Sequence, residues 1–197
     1  GSGNQKLDGI GGVVWYRAQW RQWTGYNTLL LCWGVKISST QRSIKWVELR
    51  QNQPSGTWTL YQEGIYAPDA LNRWVGSIAM DDNGSIALAY AVAGPNPVAT
   101  AASLRYTGRL ATDPLGQMTF AETEAFAGSG TMTPSCGNRF GDYSQTSLDP
   151  NGTTFWHTGE YVLNGNPATR IYSFELPLPT ELKETRNELN YNVSQNG

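Results

Sequence analysis

The sequence predicts an all-β chain, and three observations carry that prediction. Apolar runs of strand length recur along the chain, turn residues separate them, and one turn-centred phrase is written twice. The first copy runs from Arg73-Trp74-Val75-Gly76-Ser77 to Asp81-Asp82-Asn83-Gly84, the second from Arg139-Phe140-Gly141-Asp142-Tyr143 to Asp149-Pro150-Asn151-Gly152. In both, an Arg-aromatic-Gly cluster leads into a short strand, an Asp-x-Asn-Gly turn and a hydrophobic strand, at 85–90 and 153–158. Asn-Gly between two such runs is the strongest short hairpin signal.

A more diverged unit precedes these two. Its strands are expected at 13–23, 26–37, 42–50 and 57–66, separated by Thr24-Gly25, Ser38-Ser39-Thr40 and Gln53-Pro54-Ser55-Gly56. The second unit places strands at 74–80, 85–92, 103–110 and 118–126, and the third at 143–148, 153–162 and 169–176. Four antiparallel strands repeating at about 60 residues fit propeller blades. The prediction is a β-propeller segment over 1–176, with about three four-stranded antiparallel blades at about 7–66, 73–130 and 139–176, half of a larger propeller. The third blade is one strand short.

Composition bounds the rest. Eight Trp and ten Tyr within 39% hydrophobic residues supply ample core material, and 22 Gly with 10 Pro match many turns. A net charge of −2 and 15% charged residues argue against a phosphate-tracking surface, so nucleic acid is not an expected partner. No apolar run is long enough to cross a bilayer as a helix, and no signal peptide opens the sequence. Gly1-Ser2-Gly3 reads either as native or as a cloning scar. Cys32 and Cys136 fall in different units, which favours two separate thiols over a bridge.

Leu176-Pro177-Leu178-Pro179 ends the strand pattern, because proline cannot donate to a ladder. Residues 177–197 read as a polar tail or linker, with Thr180, Glu181 and Glu184 offering a capping-box alternative. Three blades alone leave two open edges, which propellers avoid by closing the ring. An upstream half, a second polypeptide or self-association is therefore the expected partner.

Several strings resemble a family of large secreted bacterial proteins that carry a sialidase-like propeller of unassigned activity. They are Gln5-Lys6-Leu7-Asp8, Trp46-Val47-Glu48-Leu49-Arg50, the stretch from Tyr61-Gln62-Glu63-Gly64 through Arg73-Trp74 to Ile86-Ala87-Leu88-Ala89-Tyr90, Leu104-Arg105-Tyr106-Thr107-Gly108-Arg109, Asp113-Pro114-Leu115-Gly116 and Arg139-Phe140-Gly141-Asp142-Tyr143. The resemblance covers about 5–176 and matches the C-terminal half of that propeller. It implies a secreted or cell-surface protein with further blades upstream, and it implies no reaction. Ser147 to Trp156 also resembles an Asp-box, with an extra residue before Gly152, while 77–84 departs further. In an Asp-box the carboxylate closes its own hairpin and the aromatic packs between blades.

The residues that carry chemistry admit two readings. Arg73, Arg105, Arg109, Arg139 and Arg170 could converge on a carboxylate through charge-assisted forks, as in a sialidase, or each could cap a turn or stack on an aromatic neighbour. Turn and stacking roles are expected. Glu160 with Tyr161, and Asp142 with Tyr143, could serve glycoside cleavage on the propeller axis. A single histidine, His157, excludes triads and His-rich metal sites, and is expected to be a surface or satisfied residue facing opposite Trp156 and Thr158. No cofactor is expected; the acidic turns could hold calcium, but their Asp and Asn serve tight turns first. Trp15, Trp23, Trp33 and Trp46 are expected to fill layers between blades.

The expected function is a glycan- or protein-binding adhesion module, with Arg73, Trp74, Arg139, Asp142, Tyr143, Glu160 and Arg170 as ligand-binding candidates and none assigned to catalysis or metal. A carbohydrate-active enzyme, hydrolase or lyase, and a structural spacer are the alternatives.

Overall fold

The computed structural model describes residues 7, 9–15, 17–94, 101–132 and 139–177. The expectations for Gly1-Ser2-Gly3, Cys136 and residues 178–197 lie outside the described residues. Eleven strands form three antiparallel sheets, and no helix occurs among the described residues. The first sheet is β1 (Gln19–Gln22), β2 (Tyr26–Lys36), β3 (Arg42–Asn52) and β4 (Trp58–Tyr66). The second is β5 (Asn72–Met80), β6 (Ile86–Ala93), β7 (Ser103–Arg109) and β8 (Thr123–Phe126). The third holds three strands, β9 (Gln145–Leu148), β10 (Phe155–Leu163) and β11 (Asn166–Phe174). Each sheet is a meander in chain order, so every pairing joins strands that are consecutive in sequence.

The sheets pack in sequence. Strand β5 lies against β1, β2 and β3 on one side and β9 on the other, while β10 faces β6 and β7. This explains why β6, Ile-Ala-Leu-Ala-Tyr-Ala-Val-Ala, is apolar without alternation: both of its faces are covered. One core, with Trp15, Ile44, Trp46, Ile78 and Leu88, joins the first two sheets; another, with Ala87, Leu104, Phe155 and Phe174, joins the second and third. Full burial of each large side chain contributes roughly 1.5–3 kcal/mol. Polar threads cross the same interfaces. The Cys32 thiol donates to Gly76 O at 3.3 Å, and Thr146 N donates to Ser77 Oγ at 2.7 Å.

The repeated phrase folds alike in its two copies and stacks on itself. Gly84 and Gly152 both adopt positive φ, 79° and 80°. Asp81 Oδ1 accepts the Asn83 and Ser85 N–H groups at 2.8 Å each, and Asp149 Oδ1 accepts that of Asn151 at 2.9 Å. Each carboxylate thus closes its own hairpin. At the other end of the phrase, the rings of Trp74 and Phe140 lie 5.5 Å apart. Between Trp74 and Ser77 the register shifts, Val75 sits at φ 46°, and its side chain fills the space over Gly141.

Three details differ from the sequence reading. Strand β1 starts at Gln19 rather than near 13, with the isolated bridges Gly11–Gly34 and Val14–Trp33 before it, and β8 starts at Thr123 rather than 118. Trp15 and Trp46 are buried, but Trp23 and Trp33 are only half-buried. In the second turn Phe155 is the buried ring; Trp156 stays exposed and donates its Nε1–H to Asp149 at 2.8 Å.

Candidate binding site

The arginines separate into two environments. Arg73 is fully buried: its Nε and Nη2 bond Glu122 at 2.7 and 3.0 Å, and its Nη1 and Nη2 bond Asp69 at 2.8 and 3.0 Å. Glu122 also accepts from Arg105 Nη1 at 2.8 Å and the Tyr90 hydroxyl at 2.6 Å. Burial works to raise the Glu122 pKa, yet the bonds from Arg73, Tyr90 and Arg105 outweigh it and hold the carboxylate below its usual range. Tyrosine, carboxylate and arginines are therefore assembled, but the carboxylate is the chain's own and Arg73 has no face left for a ligand. Trp74 is buried beside it. Arg109 is likewise buried, donating to the Asp113 carbonyl at 2.5 Å. The aromatic beside Arg73 is Tyr66, 5.5 Å away, rather than its sequence neighbour Trp74.

Arg139, the second copy of the Arg73 position, is exposed. A broad open pocket of about 610 Å³ lies beside it, lined by Met132, Arg139, Phe140, Gly141, Asp142, Tyr143, Glu160, Pro167, Ala168 and Thr169. Four of the seven residues singled out from sequence, Arg139, Asp142, Tyr143 and Glu160, thus meet in one pocket. The loop before β9 supplies the first three, and β10 supplies Glu160. Gly141, at φ 70°, gives the loop its bend, and its N–H donates to Glu160 Oε2 at 2.8 Å. Arg139 forms an ion pair with Asp142. Tyr143 stands 84% exposed. Arg170, on β11, is outside the lining; its Nε donates to the Tyr161 hydroxyl at 3.2 Å and its guanidinium lies over Phe126 at 5.2 Å.

His157 is neither at the surface nor fully satisfied. Its ring is buried between the second and third sheets, with Nδ1 2.8 Å from Thr146 Oγ1 and Nε2 unpartnered. Burial lowers its pKa from 6.5 to about 3, so it is neutral and far from any proton-transfer role near neutrality. Sequence reasoning missed Glu122, Asp69 and Tyr90. Their link to Arg73 spans up to 49 residues and leaves no local periodicity to read. No group of three His, Cys, Asp or Glu side chains able to hold a metal occurs among the described residues, and no helix there is long and apolar enough to cross a membrane. No protein-family model and no curated protein matches this chain.

Proposed function

We propose that the chain is a β-propeller segment of a secreted or cell-surface protein that binds a glycan in the pocket of the third sheet. The observation that carries this reading is the exposed Tyr143 ring beside Arg139, Asp142 and Glu160 in one open pocket. A flat ring suits the apolar face of a sugar, while a guanidinium and two carboxylates offer donors and acceptors to its hydroxyls. The propeller part of the proposal draws support from sheets that pack in chain order and from the outer face of the first sheet. There Trp20, Leu60 and Ile65 are more than half exposed, as suits a face that receives another sheet.

A hydrolase reading lacks a free acid–base pair, because Asp142 is committed to Arg139 and Glu160 to the Gly141 N–H. The test is calorimetric titration of the chain with a panel of neutral and acidic oligosaccharides. Binding that falls at least tenfold in Tyr143→Ala and persists in Ile171→Ala, on the far part of β11, is the expected result. Failure of every oligosaccharide, or binding indifferent to Tyr143, overturns the reading.

A further inference from the structure

Among the described residues the third sheet lacks a strand at one particular edge, and the second sheet displays what belongs there. In the second sheet β7 is interior, flanked by β6 and β8; in the third its counterpart β11 is the outermost strand. The correspondence holds residue by residue. Arg105 pairs across from Tyr90, the fifth residue of β6, and Arg170 pairs across from Gly159, the fifth residue of β10. Arg139 corresponds to Arg73 through the repeated phrase. In the second unit Arg73 and Arg105 grip Glu122, which immediately precedes the fourth strand β8. In the third unit Arg139 has its local carboxylate, Asp142, as Arg73 has Asp69, but among the described residues no carboxylate bridges Arg139 and Arg170 as Glu122 bridges Arg73 and Arg105. Arg170 is exposed and makes its contacts with Tyr161 and Phe126, meeting no carboxylate among the described residues.

We propose that the open edge of β11 is a docking site for an extended strand of another polypeptide that carries a carboxylate at its leading end, the acid seating against Arg170 and Arg139 as Glu122 seats against Arg105 and Arg73. Charge complementarity selects an acidic strand, because among the described residues Arg170 meets no carboxylate and Arg139 is ion-paired with Asp142. The edge supplies the rest of the affinity through main-chain hydrogen bonds, the mode of strand addition. Pro167 has no N–H to give, so pairing runs over 168–174. Arg139, Ala168 and Thr169 are shared with the neighbouring pocket whereas Arg170 is not, so Arg170→Gln reads strand docking independently of that pocket's ligand.

The probe is a peptide copying residues 119–127, Thr-Phe-Ala-Glu-Thr-Glu-Ala-Phe-Ala, which is the strand the second sheet uses at the equivalent place. Hydrogen exchange of the full chain is followed at millimolar peptide. The expected result is protection of amides in 168–174, weakened at least fivefold by Arg170→Gln and by changing the peptide's first Glu to Gln. Absence of protection overturns the proposal, as does protection indifferent to both changes. If those amides are already protected without peptide, and lose protection when residues 178–197 are deleted, the chain's own C-terminal segment occupies the edge and the proposal of a separate partner fails.

Discussion

The main-chain N–H of Asp82 donates to the carbonyl of Gly152 at 2.9 Å, joining the two copies of the Asp-x-Asn-Gly turn across the second and third sheets. Asp82 is also ion-paired through its side chain to Arg21 on β1, and Arg21 Nη1 donates to Met80 O at 2.9 Å. One turn therefore ties all three sheets at one end. The repeat is a device for holding sheets in register as well as for turning the chain.

Gly152→Ala should destabilise the fold more than Gly84→Ala. Both positions have positive φ, which costs an alanine about 1–2 kcal/mol. At Gly84 an added methyl meets only the Ala111 side chain, at 3.3 Å, whereas at Gly152 it collides with the Asp82 carboxylate. The second substitution must therefore also displace the Asp82–Arg21 pair or break the inter-turn bond, adding roughly 1 kcal/mol. Urea unfolding of the two variants gives the comparison; equal losses would mean that the turns do not communicate.

How much of this was legible in the sequence depends on distance along the chain. The hairpins were readable because Asn83-Gly84 and Asn151-Gly152 announce their own geometry. Strand β10 was readable because Phe155, His157 and Gly159 alternate with exposed Trp156 and Thr158. The start of β8 was not, because 118–122 has the composition of a strand but is spent on the approach that delivers Glu122 to Arg73. The pocket was half legible: Arg139, Asp142 and Tyr143 sit in one loop, and Glu160 joins them only because β10 returns beside it. The burial of Arg73 was invisible, since Glu122 lies 49 residues away in the approach to β8 and its twin in the repeated phrase, Arg139, is exposed.

Glu122→Ala should be among the most damaging single changes outside the apolar core. It removes four hydrogen bonds at once, two from Arg73, one from Arg105 and one from Tyr90. Arg73, with no solvent exposure, then keeps Asp69 as its one charged partner, beside the Leu71 carbonyl. Stranding a buried charge in this way costs about 3–5 kcal/mol. Glu122→Gln keeps the shape and part of the bonding and should cost less. Thermal unfolding of the pair separates the charge from the packing: equal losses would show that the ionised state of Glu122 contributes nothing.

His157 should make stability fall as the pH drops below about 6.5. The Thr146 hydroxyl donates to Ser77 O at 3.1 Å, so it accepts from His157 and fixes the proton on Nδ1. Nε2 is then a bare acceptor in an apolar space, and protonating it would bury an unpaired charge. The folded pKa of about 3 lies below the unfolded value near 6.5, so the unfolded chain binds a proton that the folded chain refuses. The stabilising contribution is complete above pH 6.5 and is lost as pH falls from there toward 3. The slope approaches about 1.4 kcal/mol per pH unit once the unfolded histidine is protonated. Between pH 6.5 and 5 the loss is already under way, and because the chain has one histidine the assignment is direct. Denaturant unfolding across that window should show the slope in the natural chain and lose it in His157→Gln. A slope that survives the substitution would mean that the buried ring accepts its proton without cost.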